Sequence, residues 1–133
     1  MFLLFSFCGY GQCDAKIKDF YVAYMQNAER CNDQENIKLL NTCMSQELIA
    51  KLEAYTRKYD VDAIVHAQDV SAYGIRSLIV VALKENRYLV KYKWNPQSEY
   101  TCIPVKATDV DGEFTILDIA PIDKDVESYI NYD

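Results

Sequence analysis

Glycine, proline, tryptophan and histidine are all scarce here, at four, three, one and one among 133 residues. So few glycines and prolines leave no flexible linker between two domains, and the chain carries neither internal repeats nor a low-complexity tract. Positive charge is also short: fourteen Lys and Arg face twenty Asp and Glu, for a formal net charge of −6. A nucleic-acid binder needs a basic stripe to displace counterions from phosphates, so that class is excluded. No apolar run approaches the roughly 20 residues that a transmembrane helix requires. No C-x-x-C pair is present, which removes the usual signature of a zinc or thioredoxin-like redox site. G-x-S-x-G and an activated-cysteine context are missing as well. The sequence therefore assigns no catalytic residue, no metal ligand set and no cofactor, and the expectation is a protein that is not an enzyme.

What is present is a well-supplied core. Half of the residues are hydrophobic and 26% are charged, which argues for one folded domain and against intrinsic disorder. Eleven tyrosines stand out.

Met1 to Phe7 (MFLLFSF) is apolar, and no charged residue precedes Asp14. This run is similar to the core of a secretory signal, with Gly9-Tyr10-Gly11 as a small-x-small cleavage site. The basic stretch that normally precedes such a core is missing, so a natural start upstream of Met1 is expected. Residues 1–11 are accordingly expected to be a signal-peptide remnant, the alternative being a buried N-terminal strand. Export would place the protein in the periplasm or outside the cell. Cleavage after Gly11 would leave Cys13, Cys31, Cys43 and Cys102 in an oxidising space, with one disulfide or more as one expectation and free, partly buried thiols as the other. A helix from Asp33 to Asn41 would advance about 13 Å. That is too far for Cys31 and Cys43 to bridge, since the Cα atoms must lie within about 7 Å.

Ile17, Phe20, Tyr21, Tyr24, Met25 and Ala28 recur at helical spacing after Asp14, which is expected to be the N-cap. A second, short helix runs through Ile37, Leu39 and Leu40 to Asn41-Thr42. Ser45 caps a third that carries Leu48, Ile49, Leu52 and Tyr55 and ends near Lys58. After Gly74 the period becomes extended. Ile75 to Leu83 reads as a central strand covered on both faces. Tyr88, Val90, Tyr92 and Trp94 alternate with Arg87, Leu89, Lys91 and Lys93 in a second strand. Tyr100 to Ala107 is a third, in which Pro104 marks an edge or a bulge. Asp109-Val110-Asp111-Gly112 is a hairpin turn, not a calcium loop, and leads into a fourth strand, Phe114 to Ile119. The order defines an α+β domain over residues 12–120, with N-terminal helices packed on a curved antiparallel sheet of about four strands. An acidic tail, residues 121–133, either packs as a short helix or stays mobile.

Two groups of residues are candidates for function. Tyr59, Asp60, Asp62, Gln68 and Asp69 surround the single histidine, His66, where the helices give way to the sheet. Asp69 orienting His66, or Asp60 and Asp62 sharing a cation, would be functional arrangements. The simpler expectation is that these carboxylates accept hydrogen bonds from turn and helix-end amides, with Asp69 structurally important and His66 without a partner. Tyr88, Tyr92, Trp94 and Tyr100 form a candidate aromatic binding face on the sheet, or else the layer beneath the helices.

Ser45 to Leu52, then Tyr59-Asp60-x-Asp62-x-Ile64-x-x-Ala67-Gln68-Asp69, then Tyr88-x-Val90-x-Tyr92, resembles a family of small exported bacterial proteins of unknown function. The resemblance runs from Ile17 to Ile119. It implies a cystatin-like, nuclear-transport-factor-like cone, an envelope location and no established activity. In the family pattern the His66 position tolerates other polar residues. The resulting expectation is a non-catalytic envelope protein, monomeric or homodimeric, that binds a protein partner or a small ligand. Small size, acidity and export also suit a periplasmic immunity protein that neutralises an antibacterial toxin. From another class, a cone-fold hydrolase or isomerase would use Asp62, His66 or Asp69 as general base.

Overall fold

The apolar stripe from Ile17 to Met25 becomes α1 (Asp14–Glu29) in the computed structural model, which describes residues 12–131. The Met1–Gly11 segment read as a signal remnant, Cys8 within it, and Tyr132 and Asp133 lie outside those residues. The helix cap is Cys13, not Asp14. The Cys13 backbone N–H donates to the Tyr88 hydroxyl at 3.0 Å, so a tertiary bond sets the start of α1. Asp14 becomes the first helical residue, where its charge complements the helix dipole. Asn32 caps α2 (Asp33–Cys43) by accepting from the Glu35 amide. This helix continues past Asn41–Thr42 because the Thr42 hydroxyl donates back to the Lys38 carbonyl and stays inside the helical pattern. Ser45 caps α3 (Gln46–Tyr59) through a 3.1 Å bond from the Leu48 amide, and Asp60, at φ 58°, ends it in the left-handed region.

The expected central strand from Ile75 to Leu83 divides in two. Ser71 accepts from the Gly74 amide at 2.9 Å and starts a short helix, α4 (Ala72–Ser77), which absorbs Ile75. Only β1 (Ile79–Ala82) is extended, and the sheet order β1-β2-β3-β4 puts it at an edge. Ile79 and Val81 are accordingly 41% and 40% exposed, so their apolarity does not mark burial on both faces. Gly74 sits at a close approach. A Cβ there would lie 3.1 Å from the Ser71 hydroxyl and 3.3 Å from the Tyr92 ring.

β2 (Arg87–Lys93), β3 (Tyr100–Val110) and β4 (Glu113–Ile119) complete an antiparallel meander. Glu85 and Asn86, and then Asp111 and Gly112, take positive φ in the two tight turns, the conformation that suits the twist of hairpin strands. Pro104 is neither at an edge nor at the bulge: it lies in interior strand β3, opposite Leu89, whereas the register shifts at Lys106/Ala107. Its carbonyl accepts from the Ala120 amide, one residue past the end of β4. The nitrogen of a strand residue points the same way as its carbonyl, so the missing N–H falls where no β4 ladder bond is required.

One sheet face, with Tyr88, Val90, Tyr92, Ile103, Val105 and Ile116, packs with α1 and α3 into a single apolar cluster. The fold is thus α+β, with the long helices preceding a four-stranded antiparallel sheet. On the other face the tail folds back as α5 (Val126–Ile130), anchored by the Tyr129 hydroxyl donating to the Val105 carbonyl at 2.8 Å. Cys13, Cys31, Cys43 and Cys102 are all free, which sets aside the disulfide expectation. The continuous α2 helix does separate Cys31 from Cys43.

Candidate functional site

The segment after α3 folds into a tight loop closed on itself. The Asp62 amide donates to the Ala67 carbonyl at 3.0 Å, and the His66 amide donates to the Asp62 carbonyl at 2.7 Å. Closing so short a loop takes His66 to φ 57°, unusual for a residue with a side chain. Ala63, Ile64 and Val65 at its tip are driven into the core. Tyrosines reach in to satisfy the carbonyls that this buries: Tyr21 donates to Ile64 at 2.8 Å and Tyr92 to Val65 at 2.5 Å.

Asp62 is the organising side chain. One carboxylate oxygen accepts from the Ile64 amide at 2.8 Å and the other from the Tyr24 hydroxyl at 2.6 Å. Asp60 lies exposed at the end of α3, and Gln68 donates to its backbone carbonyl at 3.1 Å. Asp69 is exposed and, among the described residues, accepts only from the neighbouring Val70 amide. It neither orients His66 nor supports the junction, contrary to the sequence-based expectation. A short Asp side chain at an exposed turn finds its nearest amide, which here is its own neighbour's. Tyr59 donates outward to Asp123 at 2.9 Å.

His66 has a partner after all. It is 9% exposed, and its Nε2 lies 2.9 Å from the Ala120 carbonyl. A carbonyl can only accept, so Nε2 carries the proton. Burial lowers the imidazole pKa below its ordinary value, opposed in part by the Ala120 bond and the Asp62 charge. Burial also raises the phenols. Tyr21 and Tyr24 are pushed well up, with Asp62 adding to both, and Tyr92 is pushed up to about 12. His66 and the three tyrosines are thus favoured in their neutral forms, each bonded to a protein carbonyl or to the Asp62 carboxylate.

The proposed aromatic face is not one surface. Tyr88 and Tyr92 are buried under the helices, whereas Trp94 and Tyr100 are 44% and 43% exposed. Cross-strand register puts Tyr100 on the same face as Lys93, and both Lys91 and Lys93 sit over its ring, at 4.5 and 5.0 Å.

Two concavities accompany these groups. A cleft of about 410 Å³ opens beside the junction, with Leu40, Ile49, Leu52 and Ile64 as floor and Glu53, Arg57 and Asp62 at its polar side. A second, of about 390 Å³, lies on the opposite sheet face beneath the folded-back tail. Its walls are Pro104, Ala120, Pro121 and Tyr129, and its charged groups are Arg87, Lys106 and Lys124 with Glu85 and Asp118. Sequence reasoning placed Arg87 on the strand's outer face but had no signal that the tail would return over it. The Arg87 guanidinium donates to the Tyr129 carbonyl and lies 5.1 Å from the Tyr129 ring centre, which fixes α5 as the roof of the cavity.

These features define a small α+β protein whose meander is clad by helices on one face and carries a tail-covered cavity on the other. It is similar to the crystal structure of a protein of unknown function from Bacteroides thetaiotaomicron, at 29% identity and a TM-score of 0.73, over 81% of this chain and 88% of that one. No protein-family model and no curated protein matches the chain. Among the described residues no helix is long and apolar enough to cross a membrane.

Proposed function

We propose that this is a non-catalytic binding protein of the bacterial envelope, and that it receives a small ligand in the cavity between α5 and the open sheet face. The observation that carries this reading is the contrast between the two regions. At the junction, Asp62, His66, Tyr21, Tyr24 and Tyr92 are bonded to other protein groups. Under α5, apolar walls and charged side chains surround a space of about 390 Å³, within the usual range of roughly 300–1,000 Å³ for small-molecule sites. Export is supported by the apolar Met1–Phe7 run with its Gly9-x-Gly11 site. The resemblance of the Asp60-x-Asp62 and Ala67-Gln68-Asp69 segment to a family of small exported proteins favours the same location.

Native mass spectrometry of protein recovered from the envelope of its own host tests both parts. The expected result is a mature chain beginning near Gln12, carrying a small-molecule adduct that Tyr129→Ala abolishes. An intact N-terminus at Met1 would overturn export. An enzymatic activity lost in a folded Asp62→Asn or His66→Asn variant would overturn the non-catalytic reading.

A further inference from the structure

The two edges of the sheet are built differently. β4 carries Glu113 and Asp118, and Asp118 is held at 3.0 Å by Lys51 of α3. Charges, prolines and bulges of this kind keep a second chain from pairing with an edge. From Ser77 to Leu83, around β1, there is no charge and no proline, and the β1–β2 register runs without a shift. The Leu83 amide donates to the Arg87 carbonyl at 2.8 Å, which sets the phase of this ladder. The Lys93 amide, donating to the Ser77 hydroxyl, agrees with that phase. Bonded and non-bonded pairs alternate in an antiparallel ladder, so Ile79 and Val81 turn their N–H and C=O groups toward β2. Val80 and Ala82 aim theirs the other way, where no strand lies among the described residues. Ile79 and Val81 expose their side chains beside this edge, on the open face of the sheet.

We propose that β1 pairs with β1 of a second copy of this chain, antiparallel about a two-fold axis normal to the sheet. The two four-stranded sheets then become one. The ladder phase allows a register with Val81 facing Val81, in which Val80 of each copy exchanges hydrogen bonds with Ala82 of the other. That register satisfies every N–H and C=O group that Val80 and Ala82 leave free. On the open face it sets Val81 against Val81 and Ile79 against Leu83, so the seam is aliphatic. A second copy suits this edge because the two-fold also brings exposed Arg76 of one chain alongside exposed Glu85 of the other, at both ends. Both cavities under α5 open on the same side of the joined sheet, and the pairing is independent of what they bind.

Sedimentation of the full chain at micromolar concentration tests it, and a dimer is expected. Val81→Lys, at an exposed position, should keep the native circular dichroism and sediment as a monomer, because two ammonium groups would meet across the seam. Arg76→Glu should weaken the dimer several-fold, and adding Glu85→Arg should restore it. Val81→Cys reads the register. Facing Cα atoms of a non-hydrogen-bonded pair lie about 4.5 Å apart, within disulfide range. Mild oxidation should link the two substituted positions, as identified by peptide mapping. Ile79→Cys should give no such link, since its two positions are offset by about 13 Å along the strands. This cross-link decides the matter even where Val81→Lys disturbs the fold. A monomeric parent would overturn the proposal, as would a dimer that a folded Val81→Lys leaves intact. Linkage through Ile79→Cys in place of Val81→Cys would refute the register and with it the two-fold pairing described.

Discussion

Tyr24 donates its phenolic hydrogen to Asp62 at 2.6 Å, joining residues 38 positions apart and tying α1 to the loop that follows α3. The other oxygen of the same carboxylate receives the Ile64 amide, at the start of the buried tip. Removing the carboxylate leaves an amide and a largely buried phenol without their acceptor. Asp62→Ala should therefore lower unfolding free energy by about 1–3 kcal/mol, and Tyr24→Phe by about 1 kcal/mol. Asp69→Ala, at an exposed turn, should stay within about 0.5 kcal/mol of the parent. Urea unfolding of the three variants measures this, and equal losses for Asp62 and Asp69 would refute the role given to Asp62.

His66 links stability to acid. Its folded-state pKa is lowered from about 6.5, chiefly by burial, so below that pH the unfolded chain takes up the proton more readily than the folded one. Its contribution is complete above pH 6.5 and is lost as pH falls through the lower folded value. Melting temperature should decline on acidification in this window. His66→Asn tolerates the positive φ and should flatten that decline, while losing stability at pH 7 because the ring no longer fills its site. An unchanged acid slope in the variant would assign the effect to carboxylates instead.

The tyrosines set an alkaline limit. Tyr88, Tyr92 and Tyr129 are each pushed up to about 12, chiefly by burial, and Tyr21 is raised well above its ordinary 10. Between pH 10 and 12 the unfolded state releases phenolic protons that the folded state retains. Stability present below pH 10 is therefore lost as pH rises through this range. Tyrosinate absorbance and circular dichroism followed together should show ionisation of these phenols coinciding with cooperative unfolding. Their ionisation in a chain that keeps its native dichroism would contradict the burial described.

The thiols should react in order of exposure. Cys31 is exposed, Cys102 is half-buried, and Cys13 and Cys43 are buried with pKa values raised mainly by desolvation. Alkylation at neutral pH should label Cys31 first, Cys102 next, and Cys13 and Cys43 only on unfolding. Peptide mapping over time checks the order, and any of these four found in a disulfide would contradict the free-thiol structure.

Local signals in the sequence determined the α+β order, the helix start at Ser45 and the hairpin turn at Asp111–Gly112. β3 nevertheless runs on through Asp109 and Val110, which the sequence assigned to that turn. Caps, helical periodicity and turn chemistry act between residues a few positions apart, so they can be read without knowing the fold. The edge position of β1 could not be read that way. Apolar β-branched runs look alike in a central strand and in an edge strand, and sheet order depends on pairing between distant segments. The same holds for the site residues. Asp62 and Asp69 are the same residue type in one short stretch, yet Tyr24 reaches the first and, among the described residues, nothing beyond Val70 donates to the second. The Ala120 partner of His66 lies 54 residues away, just past the end of β4. Only the tertiary structure decided that an acidic tail returns to roof Arg87 and Lys106, because the bonds that hold it there, Tyr129 to Val105 and Arg87 to Tyr129, join segments that no local pattern relates.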